Sequence, residues 1–92
     1  MKARAEVRFY GKVQQVFFRD YTRRFANRMG VKGWVMNCKD GSVKAVFEGE
    51  KADILEVIRL LREEHPYARV DRVDVKWGDF TGEFSDFTIR YH

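Results

Sequence analysis

The sequence predicts an α+β fold in which two helices pack on one face of a four- to five-stranded antiparallel sheet. Strand-like and helix-like apolar periodicities alternate along the chain in the order β-α-β-β-α-β, and glycine-containing turns separate several of them. This order is the split βαβ, or ferredoxin-like, arrangement. With 92 residues there is room for one hydrophobic core, so residues 1–92 are expected to form a single domain.

The first strand and the first helix have clear periodic patterns. Apolar and polar residues alternate from Ala3 to Phe9, which predicts a strand with one buried face. Apolar residues then recur at helical spacing from Phe18 to Met29. Gly30 is expected to end this helix, because glycine tolerates the left-handed conformation that a helix C-terminus needs.

The remaining elements follow from turn signals and periodicity. Residues 31–49 predict a β-hairpin with its turn at Asp40 and the glycine after it. Apolar residues at helical spacing over 54–61 predict a second helix that ends before the His-Pro pair. Alternating residues over 69–77 and 87–91 predict the last strands, with an extra edge strand if the two segments are separate.

The composition favours a chain with an anionic partner. Hydrophobic residues make up 45% of the sequence, charged residues 35%, and the net charge is +4. No apolar stretch is long enough to span a membrane, and the single Cys38 has no partner for an internal disulfide, which favours a reducing, cytoplasmic compartment. The excess of Lys, Arg and Glu over Asn and Gln is typical of thermophilic proteins.

The segment GKVQQVFFRD at residues 11–20 joins the first strand to the first helix. Backbone N–H groups at a helix N-terminus have no internal partner and carry partial positive charge, so an anion fits there. Arg19 adds a planar fork of donors that suits a phosphate, although a solvated arginine stays the alternative on these residues alone. The candidate phosphate-binding loop comprises Gln14, Gln15, Val16, Phe17, Phe18 and Arg19.

Three motifs together resemble the acylphosphatase family. They are GKVQQVFFR at residues 11–19, GWVMN at residues 33–37 and KDGSV at residues 39–43. The family pattern in the loop is Gly-(Arg/Lys)-Val-Gln-Gly-Val-x-Phe-Arg, and Gly-Trp-Val-x-Asn is followed after two residues by (Asp/Arg)-Gly-(Ser/Thr)-Val. The resemblance covers nearly the entire chain, and the motifs are highly specific in combination.

The resemblance implies an enzyme that hydrolyses acyl phosphates to a carboxylate and inorganic phosphate, with no metal and no cofactor. It implies that Arg19 binds the phosphoryl group and that Asn37 positions the attacking water. Ser42 is expected to support the turn after Asn37 by hydrogen bonding. The expected partners are a small acyl phosphate, phosphate and other small anions, while a membrane or a nucleic acid is not expected and the family suggests a monomer.

Gln15 departs from the family pattern, which has glycine at this position. Glycine there is expected to provide a positive φ or a close approach of backbone to phosphate. A glutamine in the left-handed conformation costs roughly 1–2 kcal/mol, and its side chain is expected to obstruct the pocket. A catalytically impaired relative that still binds phosphate is therefore one alternative.

A basic RNA-binding module of the same fold is the other alternative, because RNA-recognition domains share the element order and the positive charge. Such a module needs exposed aromatic residues on its two central strands. The nearest stretch, KGWVMNCK, matches only the first positions of that pattern.

Several other side chains are expected to have structural roles only. His65 is expected to face solvent, and Trp34 and Trp77 are expected to be packing anchors. Cys38 is expected to be a small buried hydrophobe or an unused thiol, since a nucleophilic thiol would need a neighbouring histidine.

Overall fold

Five strands and two helices make up the protein, and the computed structural model describes residues 1–91. The first helix covers the predicted residues, and the second begins three residues before its predicted apolar stripe. Residues 69–78 and 87–90 form two separate strands, which agrees with the prediction of an extra edge strand. The elements are β1 (Lys2–Lys12), α1 (Phe18–Met29), β2 (Lys32–Asn37), β3 (Val43–Glu50), α2 (Lys51–Glu63), β4 (Arg69–Gly78) and β5 (Phe87–Arg90).

The strands form one sheet in the order β4-β1-β3-β2-β5. The α+β, ferredoxin-like prediction is confirmed, but the prediction of a purely antiparallel sheet is wrong at one edge, where β5 pairs with β2 in parallel. The reason is the path of residues 79–86, which lead from β4 at one edge to β5 at the other. All other neighbouring strands are antiparallel.

Both helices pack on the same face of the sheet, where the apolar residues of the strands point. Phe9 of β1 and Phe47 of β3 are fully buried there, and Phe18 of α1 meets Phe9 at a ring-centroid distance of 5.1 Å. Burying such a side chain contributes about 1.5–3 kcal/mol, so this layer accounts for most of the stabilisation. No helix among residues 1–91 is long and apolar enough to cross a membrane.

Glu48 of β3 lies on the opposite face of the sheet and binds the connection between β4 and β5. Its carboxylate accepts hydrogen bonds from the N–H and hydroxyl of Thr81 at 3.0 and 2.8 Å, and from the N–H of Gly82 at 3.0 Å. It also accepts one from Arg4 at 3.0 Å, and its side chain is 1% exposed. These bonds compensate the burial of the charge and fix the segment that leads into β5.

Protonation of Glu48 is expected to release this segment in acid. Burial would raise the pKa of its carboxyl, but hydrogen bonds from Thr81, Arg4 and Gly82 outweigh burial and hold the pKa below its usual range. A lowered folded-state pKa stabilises the fold above the unfolded-state pKa of about 4.3, and this contribution is lost as the pH falls through the folded-state value. We expect Glu48→Gln to lower the free energy of unfolding by about 1–3 kcal/mol at neutral pH. We also expect this free energy to decrease less steeply with falling pH in Glu48→Gln than in the unaltered chain.

Urea unfolding at several pH values tests this expectation. Glu6→Gln is the matched control, because Glu6 is an exposed carboxylate on the same face of the sheet. If the free energy of unfolding falls with decreasing pH by the same amount in Glu48→Gln as in the unaltered chain, the role given to this carboxylate is contradicted.

Four side chains are more buried or less buried than expected. His65 is buried, with 8% of its surface exposed, because the turn after α2 folds it against α1. Trp77 is 37% exposed, because it lies on the edge strand β4 with only Lys51 over its ring. Trp34 is half-buried on the face away from the helices, and Cys38 is half-buried as well.

Candidate active site

A bulge ends the first strand just before the candidate loop. The pairing of β1 with β4 shifts its register between Tyr10 and Gly11. Gly11 has φ +125°, and a Cβ at this position would lie 2.3 Å from the carbonyl oxygen of Arg69. Because only glycine permits this approach, the bulge holds the end of β1 close to β4 and sets where the loop leaves the sheet.

The loop contains two residues in the left-handed conformation. Gln15 and Phe17 both have φ +62°, and Phe17 immediately precedes α1 without forming a side-chain cap. The backbone N–H groups of residues 15–20 form no hydrogen bond with another residue of the described chain. A row of free donors thus surrounds the positive end of the α1 dipole, which is the arrangement that binds anions.

A cavity of about 250 Å³ opens at this helix N-terminus. The structure brings Arg19 and Asn37 together on its wall, although α1 separates the loop from β2 along the chain and β3 lies between β1 and β2 in the sheet. Of the predicted loop, Gln14 and Val16 do not line the cavity, and Val16 is buried in the core. The lining residues are Val13, Gln15, Phe17, Phe18, Arg19, Asp20, Asn37, Ile89 and Tyr91.

Arg19 has no carboxylate within ion-pair distance among residues 1–91. Its guanidinium lies 5.1 Å from the centroid of the Tyr91 ring, a cation–π contact that leaves the N–H edges of the fork free. The neighbouring carboxylate of Asp20 lies 4.0 Å from Arg23 instead. Arg19 is therefore held in place by an uncharged group and is available to an anion in the cavity.

Asn37 is the last residue of β2, and its Oδ1 atom is buried. This oxygen has no hydrogen-bond partner among the described residues. Leaving a buried acceptor unpaired costs about 1–3 kcal/mol, which a purely structural position would avoid. Asn37 also lines the cavity, so its side-chain amide lies beside the space where a water or an anion would bind.

Gln14 connects the loop to the hairpin that carries Asn37. Its side-chain Nε2 donates to the carbonyl oxygens of Cys38 and Ser42 at 2.8 and 2.9 Å. The N–H of Cys38 donates to the Ser42 carbonyl at 2.9 Å, which closes the hairpin. Gln14 therefore fixes the distance between the two walls of the cavity, and its side chain is occupied by the hairpin rather than by an anion.

Ser42 forms its hydrogen bonds within the same turn. Its N–H and its hydroxyl both donate to the carboxylate of Asp40, at 2.9 and 2.5 Å. These bonds hold the pKa of Asp40 below its usual range, so the carboxylate stays charged and the turn stays closed. Ser42 was expected to support the turn after Asn37, and its two hydrogen bonds to Asp40 are the interactions that would provide this support.

The sequence did not predict that Val13, Asp20, Ile89 and Tyr91 line the cavity. Ile89 and Tyr91 alternate with polar residues at the end of the chain, a signal that places them on one face of a strand. Their position beside the loop depends on the parallel pairing of β5 with β2, for which the sequence contains no local signal.

A second depression, of about 320 Å³, lies on the sheet face away from the helices. Charges of both signs surround it, and Arg8 is 3.7 Å from Asp40. The central strands β1 and β3 give an RNA-binding module little support there, because the open face of β3 presents Lys44, Val46 and Glu48, and Tyr10 is the one aromatic residue that β1 adds. The cavity with the unpaired Arg19 is the better candidate.

Comparison with known proteins points to one family. The family model described as Acylphosphatase matches residues 5–89. The chain is 51% identical to an acylphosphatase of Pyrobaculum calidifontis over 87 residues, which cover 94% of this chain and 79% of that protein. It is 50% identical to an acylphosphatase of Geotalea uraniireducens over 91 residues, or 99% and 100% of the two chains.

A solved structure has the same architecture. The crystal structure of acylphosphatase from Bacillus subtilis superimposes with a TM-score of 0.91 at 25% identity, over 99% of this chain and 100% of that chain.

Proposed function

The chain belongs to the acylphosphatase family and is thus an enzyme that hydrolyses acyl phosphates, and from this premise we propose that Arg19 binds the phosphoryl group and Asn37 positions the attacking water. The resemblance of the three motifs to the family is confirmed by these relatives. The N–H groups of the loop complete the phosphate site. The proposal gives a role to Arg19, which has no carboxylate partner among residues 1–91, and to Asn37, whose Oδ1 has no hydrogen-bond partner there.

One observation supports the proposal above all others: Arg19 and Asn37, which lie on different elements, line the same cavity, and the buried Oδ1 of Asn37 has no hydrogen-bond partner among residues 1–91. The arginine and the free N–H groups supply positive charge and donors for three phosphate oxygens. The asparagine oxygen supplies an acceptor for a water proton. A phosphate bound by the first set would thus meet a water oriented by the second.

The reaction requires little more than positioning and charge stabilisation. The water oxygen forms a bond to phosphorus while the bond from phosphorus to the acyl oxygen breaks, and the electron pair leaves with the carboxylate. The conjugate acid of that carboxylate has a pKa of about 4, so the carboxylate departs without protonation. Asn37 is too weak a base to take the water proton, and a phosphate oxygen of the substrate receives it.

The acyl part of the substrate lies, in this proposal, along the outer cavity wall. Phe17, Ile89 and Tyr91 form this wall, and Phe17 is 66% exposed. These side chains offer apolar contact and few directional bonds, so we expect the enzyme to accept acyl phosphates with different acyl groups.

Hydrolysis of benzoyl phosphate in water enriched in oxygen-18, with EDTA present, tests the direction of attack. We expect the label in inorganic phosphate and none in benzoate, because water attacks phosphorus, and we expect no loss of rate with EDTA. Label in benzoate would show attack at the carbonyl carbon, and loss of activity with EDTA would show a required metal. Either result would contradict the proposed mechanism.

Gln15 has two separable effects: its backbone conformation is strained, and its side chain lines the cavity, where it would impair the enzyme if it obstructs the substrate. Gln15 has φ +62°, so the backbone conformation expected of the family glycine is present with a glutamine in it. We expect Gln15→Gly to raise the free energy of unfolding by about 0.5–1 kcal/mol, because relief of roughly 1–2 kcal/mol of strain is offset by glycine's greater flexibility when unfolded. Thermal and urea unfolding measure this change.

Gln15→Ala is the matched variant, because it removes the side chain from the cavity wall and keeps the strained φ. If the side chain obstructs the substrate, both variants raise kcat/KM and only Gln15→Gly raises stability. Unchanged stability in Gln15→Gly would show that the loop bears no strain at this residue.

We also propose that the chain acts as a single domain, as a monomer in a reducing cytoplasm. The continuous five-stranded sheet supports the first part and the lone Cys38 supports the last. Strand β5 has only four residues, which makes that edge a poor template for pairing with a second copy. Sedimentation analysis of the purified chain tests the monomer.

A further inference from the structure

We propose that Phe17 and Tyr67, two exposed aromatic side chains in contact beside the cavity, bind the acyl group of the substrate. The enzyme then favours acyl phosphates whose acyl group is aromatic or otherwise bulky and apolar. The inference rests on the proposed function of the loop. It narrows the substrate class and adds to the acyl-binding wall a residue from the turn between α2 and β4.

The side chain of Phe17 stays exposed although its backbone is strained. Phe17 has φ +62°, a conformation that bulky residues rarely adopt and that glycine adopts at no steric cost. Its ring is largely exposed, so burial in the core does not offset the strain. Strain of this kind is typical of residues that contact a ligand, and Phe17 lines the cavity.

Tyr67 extends the apolar surface that Phe17 begins. The two ring centroids are 6.5 Å apart with an interplanar angle of 61°, which is the edge-to-face arrangement that aromatic pairs prefer. Tyr67 is 60% exposed. An edge-to-face contact covers at most one face of one ring, so the other faces stay available to a third apolar group.

The position of Tyr67 is fixed by a buried neighbour of the loop. Its N–H donates to Nδ1 of His65 at 3.0 Å, and the N–H of Ala68 donates to the same nitrogen at 3.1 Å. The His65 ring in turn stacks on Phe18 at a centroid distance of 5.6 Å. The turn that carries Tyr67 is thus anchored beside the loop, so little freedom is lost when an acyl group binds.

The connectivity of the substrate places the acyl group near this aromatic pair. In an acyl phosphate a single oxygen joins the acyl carbon to phosphorus, so a phosphate bound by the loop leaves its acyl group next to the loop. Phe17 belongs to the loop and lines the cavity. An acetyl group covers little of the two rings, whereas a benzoyl group buries much more apolar area against them.

Steady-state hydrolysis of benzoyl phosphate and acetyl phosphate by Tyr67→Ala and Phe17→Ala tests the inference. We expect the ratio of kcat/KM for benzoyl phosphate to that for acetyl phosphate to fall by about 3–10-fold in each variant. The change should lie in KM for benzoyl phosphate, because a contact made equally in the ground state and the transition state does not alter kcat. Benzylphosphonate should inhibit the unaltered chain at an about 3–10-fold lower concentration than methylphosphonate, and Tyr67→Ala should reduce this difference.

Tyr67→Phe and Phe80→Ala are the matched controls. Tyr67→Phe keeps the ring and should keep the ratio. Phe80→Ala removes another exposed aromatic ring, on the segment after β4, and should leave the ratio as it is.

Two outcomes would overturn the inference. One is an equal loss of kcat/KM for both substrates in Tyr67→Ala, which would give Tyr67 a structural role only. The other is an unchanged ratio in both alanine variants. If the unaltered chain hydrolyses neither substrate, the proposed function fails and this inference fails with it, so the two failures are distinguishable.

Discussion

Arg19→Ala is expected to lower kcat/KM for benzoyl phosphate by about 10³-fold or more, because arginines that stabilise a transferring phosphoryl group contribute effects of this size. The guanidinium lines the cavity and has no carboxylate partner among residues 1–91, so no other charged group takes over its role. The inhibition constant of phosphate should rise as well, because the ground-state anion loses the same donors.

Arg28→Ala is the control for charge, because Arg28 lies in the last turn of the same helix, away from the cavity. It removes an identical side chain and should change kcat/KM by less than about twofold, because exposed charges at this distance are screened. Arg19→Lys should recover only part of the activity, because an ammonium lacks the planar fork. Activity of Arg19→Ala within tenfold of the unaltered chain would exclude Arg19 as the phosphoryl-binding residue.

Asn37→Ala is expected to lower kcat by about 10²–10³-fold while the inhibition constant of phosphate changes by less than about threefold. The two quantities are expected to respond differently because, in the proposed mechanism, Asn37 orients the attacking water and does not bind the phosphate in the ground state. The substitution removes the unpaired Oδ1, so stability should stay equal or rise by up to about 1 kcal/mol.

The only other asparagine provides the control. Asn27 is exposed on α1, and Asn27→Ala should leave kcat and the inhibition constant unchanged. A raised inhibition constant in Asn37→Ala with unchanged kcat would assign Asn37 to phosphate binding instead. Loss of stability in Asn37→Ala would show that the residue is structural.

The sequence predicted those parts of the molecule that depend on local periodicity and turn chemistry. The residues of α1 were predicted correctly because its apolar spacing and Gly30 are both local signals. For the loop around Gln15, the family glycine indicated either a positive φ or a close approach of backbone to phosphate, and the structure has the positive φ. The pairing of β5 with β2 was not predictable, since it depends on the path of residues 79–86. Glu48 of β3, which is distant in the sequence, accepts hydrogen bonds from this segment on the open face of the sheet.

The environment of individual polar side chains was the least predictable part of the site. His65 precedes a proline in a polar turn, and only the packing of that turn on α1 buries it. The prediction for Gln14 concerned its backbone N–H, and the sequence did not indicate that its side-chain amide donates to the hairpin carbonyls of Cys38 and Ser42. In both cases the partner is distant in the sequence, so no local pattern reveals it.

Titration of the isotopically labelled protein with inorganic phosphate, followed by amide NMR, measures directly where the anion binds. The proposed site predicts that the largest shifts occur in the N–H groups of residues 15–19 and in the side-chain Nε–H of Arg19. It also predicts that Arg19→Ala abolishes these shifts at the same phosphate concentration. Shifts that concentrate on the open face of the sheet, around Arg8 and Lys44, or that persist in Arg19→Ala, would contradict the phosphate site on which this mechanism depends.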